Sequence, residues 1–259
     1  MYADDTSLLL REHRSSTAEE VLGDAAEWFG ANNLKLNADK SQSLQFTAGV
    51  SGEGSVRFLG VCFDALGSYK EHIQNTRSHL AKSIYAIRRI GRVAGKEAAR
   101  QTYFGVFHSR ATYGVLLWGG SAAAKNIFLQ QKQAVRAIMG YNSRASCREI
   151  FKDLNILTLP SCYILACLVY IHNRKDFPTL GDVHHYNTRN REHYTVPYHR
   201  VNRAMTSTNC TALKLYNHLP KHMKHMSVLH FKKTMSTFLL STSIYNVEEF
   251  YVMDTTSLL

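Results

Sequence analysis

The chain has 259 residues, 45% of them hydrophobic, and a net charge of +11. That apolar content excludes disorder throughout, while the longest apolar run, residues 162–171, falls far below the ~20 residues that cross a bilayer, so no membrane span is expected. Five cysteines at irregular positions (Cys62, Cys147, Cys162, Cys167 and Cys210) exclude an even disulfide framework; with Asp4, Asp5, Arg11, Glu12 and Arg14 interrupting any leader-like stretch, the expected setting is intracellular, nucleus or cytoplasm.

The opening MYADDTSLLL sets two carboxylates, Asp4 and Asp5, between β-tolerant flanks. The pattern predicts a hairpin with the carboxylates near its tip. Adjacent carboxylates repel, so a site that keeps both ionised offers a hard cation such as magnesium; a solvated Asp-Asp turn is the other reading. Ser16 with Glu19 is a capping-box pair, and Ala18, Val21, Leu22, Ala25, Trp28 and Phe29 then recur at helical spacing. Leu34-Lys35-Leu36 and Leu44-Gln45-Phe46 alternate as short strands do. A Gly/Ser loop over 49–55 leads into a strand predicted over 56–63.

From about Tyr69 the pattern turns helical, with Ile73, Leu80, Ile84, Ile87 and Ile90 on one face and Lys82, Arg88, Arg89 and Arg92 on others. The first 69 residues hold ten Asp/Glu against five Lys/Arg, which leaves +16 for the remainder. Residues 70–145 alone carry thirteen Lys/Arg against Glu71 and Glu97, with Tyr85, Tyr103, Phe104, Tyr113, Trp118 and Tyr141 interleaved. A basic excess of this size favours a polyanion, nucleic acid first and an anionic membrane surface second. The cations are read here as functional and the aromatics as core. A buried helix is predicted over 161–171 after Pro160, an extended basic segment over 183–203, and a last helix over 229–240. Cys162, Cys167 and His172 do not share a helix face, and Pro220 separates His218 from His222, His225 and His230, so zinc is not expected at either place.

Tyr2-Ala3-Asp4-Asp5-Thr6 followed by an apolar strand resembles the catalytic motif of reverse transcriptases, nearest to those of jockey-like, animal LINE-type non-LTR retrotransposons. Trp28-Phe29 with Asn33-Leu34-Lys35-Leu36-Asn37-Ala38-Asp39-Lys40 resembles the next palm motif, and Val56-Arg57-Phe58-Leu59-Gly60-Val61 resembles the primer grip. Ser109-Arg110-Ala111-Thr112-Tyr113-Gly114 with Leu117-Trp118-Gly119-Gly120, then Asn155-Ile156-Leu157, Asn187-Thr188-Arg189 and 213–220 (LKLYNHLP), are similar to the thumb and tail of the same elements. The resemblance covers nearly the whole chain.

It implies an α+β fold: a partial polymerase palm over 1–68, a helical thumb-like region over 69–178 and a basic tail over 179–259. Asp4 would be the principal ligand of Mg2+, with Mn2+ as a substitute, and Asp5 would support it. Lys40 would meet the nucleotide phosphates, the other reading being a surface lysine. Phe58, Leu59 and Gly60 would present backbone to the primer end, and Arg88, Arg89 and Arg92 would contact phosphates. The partners implied are an RNA template and a DNA primer. In the family the second principal carboxylate and the fingers precede this motif, so this chain is expected to hold half of a two-metal cage and to be catalytically incomplete alone. The alternative function is a non-catalytic basic protein that binds nucleic acid.

Overall fold

The computed structural model describes residues 6–10, 18–47, 54–174, 176–184, 186, 188–200 and 207–253. Its two compact units are Met1–Gln45 and Phe46–Leu259. The architecture is mainly helical, with one small antiparallel sheet.

In the first unit, helix α1 (Ala18–Ala31) forms where the periodicity placed it. Asn33 ends it in the left-handed region (φ 55°), and the amides of Asn33 and Leu34 return to the carbonyls of Gly30 (3.1 Å) and Phe29 (2.8 Å). That pair of bonds satisfies carbonyls the helix end would otherwise orphan, and Asn tolerates the conformation better than most side chains. Ser16 of the predicted capping box lies outside the described residues. Along the apolar face Val21, Ala25 and Phe29 are half-buried, whereas Leu22 and Trp28 are exposed.

The strands predicted at 34–36 and 44–46 do not form. Alternation fits a pleat, but a strand also needs a ladder partner for its amides and carbonyls. Among the described residues no segment pairs with 34–36, and Leu34 and Leu36 face solvent. Near the second segment, one bond joins the Thr47 amide to the Ala65 carbonyl (3.0 Å).

In the second unit the single strand predicted over 56–63 is a hairpin instead: β1 (Ser55–Phe58) pairs antiparallel with β2 (Val61–Asp64), Phe58 opposite Val61. Leu59 (φ 46°) and Gly60 (φ 82°) form a two-residue turn with both φ positive. Such turns match the right-handed twist of the flanking strands, but a leucine in the left-handed region costs roughly 1–2 kcal/mol.

Helix α2 (Lys70–Thr102) buries Ile73, Leu80, Ile84 and Ile87 as the spacing predicts, while Ile90 is only half-buried. It is two arms. Gly95 sits at φ 82°, ψ 178°, a conformation open essentially to glycine, and breaks the helix there. The chain returns through the second arm, a wide helical turn (Tyr103–His108) and α3 (Ser109–Thr112). The arms run antiparallel: a Cβ on Gly91 would lie 3.4 Å from that of Ala99, and Ser83 Oγ donates to the Val106 carbonyl (3.3 Å). Gly114, at φ 62°, leads into the short α4 (Val115–Trp118).

Beyond the hairpin come α5 (Ala124–Met139), α6 (Arg148–Asp153), α7 (Leu159–Arg174), α8 (Leu180–Val183), α9 (Thr208–Asn217), α10 (Lys221–Lys224), α11 (Val228–Thr242) and α12 (Val247–Val252). Helix α7 extends the predicted 161–171 by two residues at its start and three at its end, with Pro160 in its first turn where no amide is missed. Thr158 caps it, accepting from the Ser161 amide (3.2 Å) and donating to the Ile244 carbonyl. At its other end His172 is buried and stacked on Phe231 (4.1 Å). Its Nε2 must donate to the Met226 carbonyl (3.0 Å), which leaves Nδ1 to accept from the Tyr216 hydroxyl (3.0 Å). No described helix is long and apolar enough to cross a membrane.

The predicted aromatic core is half right. Tyr103 and Trp118 are buried and Phe104 is half-buried, but Tyr85, Tyr113 and Tyr141 are more than half exposed, at 65%, 54% and 52%. All five cysteines are free. Cys147, Cys162, Cys167 and Cys210 are buried and Cys62 is partly exposed. Burial pushes the thiols of Cys162 and Cys167 up to about 12. Thiolate is the reactive form. In the native protein at pH 8, Ellman's reagent should therefore titrate Cys62 rapidly and the other four only on unfolding; two or more fast thiols would contradict this packing.

The buried Gln131 amide binds three partners: Nε2 donates to Tyr103 Oη and the Leu157 carbonyl (both 2.9 Å), and Oε1 accepts from the Leu159 amide (2.7 Å). Removing it strands buried polar groups at about 1–3 kcal/mol each. Gln131→Ala should lower the unfolding free energy by about 3 kcal/mol or more in urea denaturation, whereas Gln133→Ala, on the exposed side of the same helix, should change it by less than about 0.5 kcal/mol.

Candidate nucleic-acid interface

Arg88, Arg89 and Arg92 lie on the last turns of the first arm of α2, all exposed. Arg88 and Arg92, one turn apart on one face, line a cleft of about 470 Å³ between this arm and the C-terminal end of α5. Across from them the cleft is lined by Arg136, Tyr141 and Ser143, and Lys96 closes it just past the Gly95 break. None of the lining residues is acidic. Glu97, next to Lys96 in the chain, is turned to Arg100 (3.6 Å). Arg89 is exposed but does not line the cleft.

The α5 wall is rigid for local reasons. Gly140 caps α5 in the left-handed region (φ 69°), and the Tyr141 amide donates back to the Arg136 carbonyl (3.0 Å). Asn142 Oδ1 then accepts from the amides of Arg144 and Ala145 (both 3.1 Å), ordering the turn. Arg136 Nε donates to the Ala145 carbonyl (2.9 Å), which fixes the guanidinium while its Nη nitrogens remain as donors.

A second cleft of about 420 Å³ is lined by Arg148, Glu248 and Glu249 among others. Its one cation faces two carboxylates: Arg148 pairs with Glu249 (3.2 Å) and lies over the Tyr245 ring (4.5 Å). Lys132 sits over the same ring (4.0 Å), and burial pushes its ammonium below the usual lysine range. These cations serve packing, in contrast to those of the first cleft.

The primer-grip-like residues lie elsewhere. Leu59 and Gly60 form the exposed tip of the β1–β2 hairpin, behind the half-buried Phe58. Tyr113 Oη donates to the Leu59 carbonyl (2.6 Å), and a Cβ on Gly60 would meet the Tyr113 ring at 3.5 Å. The hairpin is tied to the start of α2, where the Cys62 amide donates to His72 Nδ1 (3.4 Å). Burial, and then the charge of Arg57, pushes His72 below the usual histidine range, which keeps that nitrogen an acceptor. From His72 to Arg92 is about 30 Å of helix at 1.5 Å per residue, so hairpin and cleft occupy opposite ends of one arm.

Lys40 is exposed in the short turn Ala38–Lys40 of the first unit, its amide donating to Asn37 Oδ1 (3.3 Å). Asp4 and Asp5 lie outside the described residues. Their oxygen donors suit magnesium chemically. Among the described residues no group of three or more His, Cys, Asp or Glu could hold a metal ion.

Sequence reasoning named Arg88 and Arg92 but not Lys96, Arg136 or Tyr141 as their companions. Each had been counted among the basic or aromatic residues of 70–145; what brings them together is the break at Gly95 and the cap at Gly140. The chain matches no family model, no curated protein and no solved structure.

Proposed function

We propose that this chain binds nucleic acid through the basic cleft, as the thumb-side part of an RNA-directed DNA polymerase of the non-LTR retrotransposon type. The observation that carries the binding is the cleft itself: Arg88, Arg92, Lys96 and Arg136 converge on one volume with no acid among its lining residues. Four like charges repel one another, and a phosphate backbone relieves that repulsion while releasing its counterions. The cations lie on helix surfaces with no base-reading motif, so binding is largely independent of sequence.

The polymerase part rests on the ordered motifs alone. In that reading Asp4 and Asp5 supply carboxylates to Mg2+ or Mn2+, Lys40 meets nucleotide phosphate, the backbone of Phe58, Leu59 and Gly60 meets the primer end, and the nucleic acid is an RNA template with a DNA primer. The small sheet, with α1 before it in the chain, would then be a remnant of the palm.

Affinity for duplex or single strands should fall with a log–log salt slope of several units, at about 0.9 per phosphate neutralised on a duplex. Arg88→Ala with Arg92→Ala should make that slope shallower by about 2 and weaken binding to every sequence alike. Affinity indifferent to salt would end the reading.

The polymerase assignment is tested by primer extension with magnesium or manganese, using the chain joined to the fingers and first palm strand of a related element. Asp4→Ala should abolish incorporation. An active fusion with Asp4→Ala would remove Asp4 from the metal site.

A further inference from the structure

We infer that the cleft takes a single-stranded stretch of nucleic acid, with Tyr141 stacking on an unpaired base while Arg88, Arg92, Lys96 and Arg136 hold its phosphates. This rests on the nucleic-acid-binding reading and narrows its substrate.

Tyr141 carries the inference. The residue is 52% exposed and lines the cleft beside the cations. The backbone beneath it is fixed twice, by the Gly140 cap with its return bond to the Arg136 carbonyl and by the Asn142 turn that follows. A large ring on a rigid mount loses little conformational freedom when it meets a ligand, as stacking platforms require. Of the cations beside it, Arg136 is held by its bond to Ala145, and Arg88 and Arg92 emerge from one face of the facing helix.

Such a ring can reach only a base whose face is open. In a duplex each face is covered by the neighbouring pair, so Tyr141 would find a partner only in a single strand, a loop or a frayed end. The cations make no such distinction, since both forms carry phosphates. The cleft should therefore prefer single strands, with the arginines giving general affinity and the tyrosine the discrimination. An acidic polypeptide would satisfy the same cations but has no flat face for the ring.

The test is fluorescence anisotropy at one salt concentration, with end-labelled single-stranded RNA and DNA of about twelve nucleotides and a blunt duplex of the same sequence. Tyr141→Ala should weaken binding to the single strands about tenfold, the scale of one lost stacking contact, and leave the duplex unchanged. Tyr141→Phe, which keeps the ring, should stay within about twofold of the parent. Single-strand affinity untouched by Tyr141→Ala, or an equal loss on the duplex, would overturn the inference. So would poly-glutamate competing as well as RNA. The double variant Arg88→Ala, Arg92→Ala separates the failures: if it weakens binding while Tyr141→Ala is silent, only the stacking role falls, and if both are silent the cleft is not the binding site and the proposed function fails with it.

Discussion

The larger unit is organised around the side-chain amide of Gln131. A primary amide can make about four hydrogen bonds, and here three are made to partners from two other parts of the chain: Tyr103 on the returning arm, and Leu157 and Leu159 at the entry to α7. In an apolar interior each such bond is expensive to leave unmade, so the network tolerates one arrangement of these elements far better than a slipped one. Hydrophobic burial drives α5 against α2 and α7, through residues such as Ile127, Ala134 and Ile138, but burial is indifferent to small rotations. The amide sets the rotation.

That constraint reaches the surface. With Gln131 facing inward, the next turns of α5 present Arg136, and the cap that ends the helix presents Tyr141, to the end of the first arm of α2, where Arg88 and Arg92 emerge. Gln130 adds a second tie, donating to the Arg77 carbonyl (3.0 Å) from the neighbouring position. Close approach is completed at Gly91, where an added Cβ would already lie 3.8 Å from the Ala137 carbonyl oxygen. A cleft lined by cations is electrostatically unfavourable while empty, and a rigid buried network is one way for a fold to sustain it.

What was legible in the sequence were the elements whose signal is local. Helical spacing placed Ile73, Leu80, Ile84 and Ile87 on the buried face of α2 and located α7 and α11, because a 3.6-residue period is written within the element itself. The failures concern partners. Leu34–Leu36 alternates correctly, yet strand formation depends on a neighbour that alternation cannot reveal. The run over 56–63 looks continuous because Leu59, a residue averse to positive φ, occupies half of the turn, and only Gly60 hinted at it. Tyr103 and Tyr141 differ in burial because one meets the buried Gln131 amide and the other follows a helix cap, which composition does not distinguish. The site was legible as far as Arg88 and Arg92; Asp4 and Asp5 lie outside the described residues and stand on motif alone.

The first arm of α2 also carries charge outside the cleft. Its buried side is taken by aliphatic residues, and Lys82, Tyr85, Arg89 and Arg92, all exposed, recur three or four residues apart along an adjoining stripe. With Tyr85 holding one place, the stripe lays cations along the helix axis at intervals of one or two turns of about 5.4 Å, which suits contacts repeated along a phosphate chain and suits base reading poorly, since base edges are met by a few side chains entering a groove together. A helix packed on one side can offer affinity along its length at little structural expense, whereas discrimination between ligands needs a group whose contact depends on the ligand's form. In the function proposed above, the stripe supplies the first and the mouth of the cleft, where the Tyr141 ring stands beside the cations, the second.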